Sequence, residues 1–412
     1  MQSLVCVLLL SVLYIAAFPL SARSEDVKTL TLYHDSDYSN HYESAYAMKM
    51  GVLTALAEIN NNVQDYQLTL IEKDNRGNAN RSLLHMQQFL KDPNALVFIG
   101  GLHSPPYIKN REFINKNKLL LLLPWAAGGS ITRYPSDDNW VFRLSVDDTK
   151  AGYRMAQFAT QTLNCKNPLL LLEDTPWGKS NNNTMLEAFG DIKPQVECFN
   201  WNTKINNAKL MLHQIKNTPA ECILFVGNAI EGAVFINAMA SFTKNERLPI
   251  VSHWGITGGD FFANVEQAIK SNLSLHFIQS CFSFLKTPQT ALTKNVIAQS
   301  LSLKPTPVAP TELISPAGFI HAYDLTKLLL QGISQITLTD NTEHNRAKIK
   351  HALENLTMPV NGLIKQYQRP FAVWSANNID AHKALGFDDL CMANYQPDGK
   401  IHIIENPIGN VE

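Results

Sequence analysis

The sequence predicts an α/β protein built from two doubly wound parallel-sheet lobes. Three observations carry this. Short runs that are apolar on both faces recur along the chain, as strands buried inside parallel sheets do. Helix-patterned segments separate these runs. The alternation breaks once, around residues 141–149, and then restarts, so a second sheet is expected from about residue 146.

The N-terminal segment stands apart. Residues 4–20 are almost wholly apolar, and Ser21, Ala22 and Ser24 supply small residues before the polar start at Glu25 and Asp26. This pattern predicts a secretory signal peptide over residues 1–24, although Met1-Gln2-Ser3 lacks a basic residue. A membrane anchor is the alternative. No second segment is apolar enough to span a bilayer, so the rest of the chain is expected to be exported and soluble.

Strands are then predicted at 30–33, 68–72, 96–99 and 119–123. Between the first two, residues 45–60 set Ala47, Met50, Leu53, Leu56 and Ala57 on one helical face, and a second helix covers 81–90. After the break, a helix at 150–163 precedes strands at 169–172, 196–199, 223–226, 249–252 and 277–280. Residues 286–311 hold several prolines and read as looser chain before a helix at 316–333. Residues 367–404 are aromatic and turn-rich, with a hairpin signal at Gln396-Pro397-Asp398-Gly399.

Composition excludes several functions. At 412 residues and a formal charge of −1, the chain has room for two cores and no electrostatic bias toward nucleic acid. Beyond Cys6 lie Cys165, Cys198, Cys222, Cys281 and Cys391, with no CxxC pair and no zinc-type spacing, so no metal and no cofactor are expected. Buried free thiols are the expectation; Cys165 and Cys222, each just before an apolar strand, are the pair best placed for a bridge. No GxSxG, Walker A, GxGxxG or HExxH motif appears, which argues against an enzyme. His253 is the one histidine beside the expected pocket, and a satisfied loop histidine is the reading for it.

The apolar runs ending at Gly100-Gly101-Leu102-His103-Ser104 and at Leu123-Pro124-Trp125-Ala126-Ala127 stop at small residues before helix-like segments. Loops of this kind, beyond the carboxyl ends of parallel strands, form pocket walls. Taken in order with Ala47–Asn60, Ile71-Glu-Lys-Asp74, Val141-Phe-Arg143, Leu172-Glu-Asp-Thr-Pro-Trp-Gly178 and Ala322-Tyr-Asp-Leu325, they resemble type I periplasmic substrate-binding proteins of the branched-chain amino-acid-binding kind. The late Asn361-Gly362, Tyr367, Pro370-Phe371 and His382-Lys-Ala-Leu-Gly386 resemble one branch of that family.

The resemblance implies two lobes on a three-strand hinge with ligand in the cleft between them. It would place residues 25–145 and 282–365 in lobe one, and 146–281 and 366–412 in lobe two. It makes Ser104 the hydroxyl that binds a ligand carboxylate, with an ordinary helix cap as the plain alternative. It places Trp125, Ala126 and Ala127 on the next loop, with Ala127 where the family carries a Thr. Trp177 matches an aromatic wall, normally Tyr. Trp254 stands where amino-acid binders carry a Glu that pairs with the ammonium, and Asn228 where an aromatic is usual. Glu231 and Asp260 are candidates to replace that charge, though both read as surface residues. Tyr42 and Tyr46 fall on the N-terminal cleft loop.

The function so implied is that of an exported, periplasmic solute-binding protein, monomer or weak dimer, delivering a small amino acid, amide or carboxylate-like molecule to an ABC permease in the inner membrane. A sensor of the same fold and an exported α/β enzyme are the alternatives.

Overall fold

The computed structural model describes residues 28–134 and 138–404; the expected signal peptide lies outside the described residues. Among those described, no helix is long and apolar enough to cross a membrane.

The first sheet contains β1 (Lys28–Ser36), β2 (Asn62–Val63), β3 (Tyr66–Asp74), β4 (Ala95–Gly100), β5 (Leu121–Leu123) and β6 (Val141–Arg143), in the order β2-β3-β1-β4-β5-β6. All pairs are parallel except β2–β3. Its two faces follow the period-2 rule. Leu32 and Leu122 pack toward helix Tyr42–Ala57, while Tyr33 and Phe98 pack against helices Ala79–Lys91 and Pro105–Lys116. Helix Tyr42–Ala57 is buried nearly all round because helix Pro316–Ser334 crosses it. The crossing is closest at Gly51, where a Cβ would stand 2.3 Å from the Phe319 carbonyl oxygen.

The second sheet contains β7 (Pro168–Glu173), β8 (Gln195–Phe199), β9 (Cys222–Val226), β10 (Ile250–Ser252) and β11 (Leu275–Ser280), parallel throughout. A small hairpin, β12 (Val360–Asn361) and β13 (Gln366–Tyr367), lies outside both sheets. The hairpin β14 (Leu390–Tyr395) and β15 (Ile401–Ile404) then adds antiparallel strands beside β11, turning at Gln396–Gly399 where the sequence signals it. Leu170, Leu172 and Leu224 face helices Asp148–Gln157 and Pro176–Phe189; Leu169, Leu171 and Phe225 face helices Ile205–Lys216 and Ala229–Ala240.

The parallel strands of the two sheets repeat one order, β3-β1-β4-β5-β6 and β8-β7-β9-β10-β11. In each, the winding direction reverses once, between β1 and β4 and between β7 and β9. Doubly wound sheets bind ligands beyond the strand ends at such a switch point.

Two expectations are corrected here. Residues 286–311 include helix Ala291–Leu301, capped by Thr290, whose hydroxyl accepts from Thr293 N–H. Only Thr293, Val296 and Ser300 of this helix are buried, too thin a stripe to announce itself in sequence. Most cysteines are also not free. Cys165–Cys222 and Cys281–Cys391 are disulfides, and Cys198, exposed on edge strand β8, is free. The second bridge was hidden because its cysteines are 110 residues apart in sequence and meet only where β11 pairs with β14. Disulfides fit an oxidising compartment.

Replacing both Cys165 and Cys222 by Ser opens a 57-residue loop. Urea unfolding should show a loss of about 2–4 kcal/mol relative to the native protein; an unchanged midpoint in the absence of reductant would argue against the bridge.

Candidate functional site

The two switch points face each other across a cleft. From the first lobe, Leu102, His103, Ser104 and Pro105 after β4, and Trp125 and Ala127 after β5, line a residual cavity. From the second come Glu173 and Trp177 after β7, Asn228 after β9, and Trp254 and Gly255 after β10. The space left between them is about 10 Å³, room for no more than about one water. Nothing larger fits the cavity in this arrangement.

Three helices begin at this cavity: Ser104, Thr175 and Asn228 are the cap residues of Pro105–Lys116, Pro176–Phe189 and Ala229–Ala240. Their amino ends turn a partial positive charge toward the cleft. Ser104 is not an ordinary cap, since its side chain bonds no N–H of its own helix. Its Oγ instead accepts from Gly128 N–H at 3.0 Å, tying the β4 and β5 loops together.

The β5 loop divides its residues. Trp125 lines the cavity with one edge and packs into the lobe with the other, where a Cβ on Gly318 would meet its ring at 2.8 Å. Ala127 reaches the cavity and accepts from Asp148 N–H at 3.0 Å. Ala126 does not line it. It joins the apolar cluster on the far side of the sheet, and its carbonyl accepts from Arg143. Tyr42 and Tyr46 also stay away from the cavity, stacked on each other at 5.5 Å with Tyr42 half exposed.

On the second lobe, Trp177 is fixed from both ends. Its Nε1 donates to Asp148 Oδ1 at 2.8 Å, and its backbone N–H is capped by Thr175. Trp254 is fully buried, 5.3 Å from the His321 ring. His253 is corrected from a satisfied loop residue. It is buried behind the two tryptophans, edge-on to Trp177 at 4.9 Å, and neither ring nitrogen has a hydrogen-bond partner. Burial lowers its pKa to about 3, so it is a neutral packing group.

Sequence reasoning missed the carboxylate in the cleft. Glu173 ends β7, is 1% exposed, and lines the cavity. Thr175 Oγ1 donates to it at 2.6 Å, Trp201 Nε1 at 3.2 Å and Asn228 Nδ2 at 3.3 Å. Burial raises its pKa to about 7, against these hydrogen bonds and with help from Glu231 and Asp148. A charged residue directly closing a wholly apolar strand was the available signal. Glu231 is corrected as well: it is buried, but its carboxylate accepts from Asn202 N–H at 2.9 Å and does not line the cavity. Asp260 is exposed.

The chain matches the periplasmic binding protein family over residues 37–372 and belongs to that family, which is one of binding proteins. Solved structures share the fold over nearly their whole length. A leucine-binding protein, LivK, of Thermotoga maritima superposes with a TM-score of 0.71 at 16% identity, covering 92% of this chain and 99% of its own. The branched-chain amino-acid binding protein LivJ of Streptococcus pneumoniae, in complex with isoleucine, gives 0.69 at 17% identity, with 92% and 99% covered. A solute-binding protein of Rhodopseudomonas palustris in complex with p-hydroxybenzoic acid gives 0.72 at 15% identity, with 91% and 95% covered. No curated protein matches the sequence.

The raised pKa of Glu173 has a consequence for stability. In the folded protein the carboxyl keeps its proton to about pH 7, whereas the unfolded chain loses it near 4.5. Native protein therefore binds the extra proton between these values, and the Glu173 contribution falls as pH rises through that window. Glu173→Gln cannot ionise. Its stability relative to native protein should rise by about 1–3 kcal/mol between pH 4.5 and pH 8, read from melting midpoints at both values; a constant difference would show that Glu173 titrates normally.

Proposed function

We propose that the protein is an exported, periplasmic solute-binding protein of an ABC importer. It captures a small polar or amphiphilic molecule, amino acid, amide or carboxylate-like, between its lobes and presents it to a permease of the inner membrane. The observation that carries this reading is the meeting of both switch points at one cavity lined from both lobes.

The chemistry of the cleft favours a solute with two different ends. Three helix amino termini around Ser104 suit a carboxylate. Glu173 suits an amine or amide, so the charge missing at Trp254 is supplied from β7 instead. Trp125, Trp177 and Trp254 wall the space between. Isoleucine and p-hydroxybenzoic acid, the ligands of two structural relatives, both carry a carboxylate.

Opening is a hinge motion. The lobes of this proposal are residues 25–145 with 282–365, and 146–281 with the C-terminal hairpin. The last crossing is moved from 366 to beyond Leu385. Residues between them stay on the first lobe, where Tyr367 Oη donates to Asp324 Oδ2 at 2.7 Å and Ala384 N–H to the Arg143 carbonyl at 3.0 Å.

A thermal-shift screen of amino acids, their amides and aromatic or aliphatic carboxylates tests the reading. A solute at about a hundred times its Kd should stabilise by about 2.7 kcal/mol. Trp177→Ala is expected to weaken the best hit at least about tenfold, and Glu173→Gln to weaken amine-bearing hits selectively. Silence across the panel from a cooperatively melting protein would overturn the reading, and conversion of a bound solute would move it to the enzyme class.

A further inference from the structure

We infer that Asp37, His41 and His103 form a site for a divalent metal ion of the zinc class at the first lobe's edge of the cleft. Their nearest donor atoms form an almost equilateral triangle. His41 Nδ1 lies 3.2 Å from Asp37 Oδ2, His103 Nε2 lies 3.3 Å from the same oxygen, and the two nitrogens are 3.2 Å apart. A tetrahedral zinc with bonds of roughly 2.0–2.1 Å spaces its ligand atoms about 3.3 Å apart. The triangle has the dimensions of one face of that tetrahedron.

Hydrogen bonding satisfies the triangle only in part. Charge-assisted N–H···O bonds close to about 2.7–2.9 Å, and both imidazole–carboxylate contacts are longer. Protons cannot satisfy all three edges either. With both inner nitrogens protonated, two donors face each other. With one or none, a bare nitrogen faces the carboxylate oxygen. A cation at the centre takes a lone pair from each atom.

The fold builds the triangle deliberately. Asp37 and His41 lie one turn apart between β1 and helix Tyr42–Ala57, and Asn40 N–H donates to Asp37 Oδ1 at 2.9 Å, fixing the carboxylate. His103 arrives on the β4 loop, across the β1/β4 switch point. That approach depends on Gly101, where a Cβ would stand 2.4 Å from Ser36 Oγ. All three residues are buried, at 2%, 6% and 5% exposure. Trp201 of the second lobe lies over His103 at 5.6 Å, and His103 also lines the solute cavity, so a bound ion sits beside the cleft. Among the described residues this is the group of His, Cys, Asp and Glu close enough together to hold a metal ion.

Chelator-stripped protein titrated with Zn²⁺ against a chromophoric competitor should bind one equivalent with a Kd below about 1 μM. His41→Gln, His103→Gln and Asp37→Asn should each weaken binding at least about 100-fold while keeping the native circular dichroism spectrum. Co²⁺ loading of the unmodified protein should give the visible bands of a tetrahedral nitrogen–oxygen site, a readout that needs no variant to fold. Binding well below one equivalent, an octahedral Co²⁺ spectrum, or unchanged affinity in the folded variants would overturn the site. The titration contains no organic solute. Protein that binds solutes but not Zn²⁺ refutes this inference alone, and the converse refutes only the solute reading.

Discussion

The cleft depends on two adjacent buried aspartates at the first crossing between lobes. Asp147 and Asp148 are both fully buried, and their carboxylates serve opposite sides. Asp147 pairs with Arg133, Arg143 and Lys383, locking the crossing to the first lobe and to the segment that leads into the last crossing. Asp148 accepts from Gly129 N–H of the first lobe, and from Trp177 Nε1 and Asn181 Nδ2 of the second. Buried charges are costly unless fully paired, and removing one partner leaves the other stranded. This network therefore ties the first crossing to both lobes and to Trp177 of the cleft wall. Burial nonetheless raises the pKa of Asp148 to about 6, the same tension that Glu173 shows.

Around that pivot the chain ties its crossings by different means. At the first, Arg143 N–H donates to the His382 carbonyl, and Leu385 N–H to the Leu144 carbonyl, so the outgoing and returning strands run side by side. At the other two, the Cys281–Cys391 disulfide joins the end of β11 to β14. The strands that join the lobes are thus tethered laterally.

The interior of the cleft is mostly rings. Trp125 and Trp254 both face His321, while Trp177 and Trp254 both face His253. Burial keeps both histidines neutral, with pKa values lowered to about 3. They pack as flat, uncharged groups behind the tryptophans. Among the described residues that line the cavity, Glu173 brings the carboxyl group, and His103 links it to the Asp37–His41–His103 triangle.

Local pattern was enough for much of this protein. Runs such as 96–99 and 223–226 are apolar on both faces because helices cover both sides of a parallel sheet, and that alone specifies the fold class. The loops carrying Ser104, Trp125 and Ala127 were legible as pocket wall because loops after parallel strands gather at one end, whereas Trp177, Asn228 and Trp254, which line the same cavity, were reached only through the family resemblance. What pattern cannot express is which way a side chain turns once its strand has a neighbour. Ala126 and Ala127 are adjacent yet point to opposite sides, and Tyr42 and Tyr46 leave the cleft along the helix they begin. Glu173, the second disulfide and the His103–Asp37 meeting all join residues tens of positions apart. Only the pairing of strands distant in sequence, β1 with β4, β7 with β9 and β11 with β14, brings them within bonding distance, through close approaches such as Gly101 on Ser36.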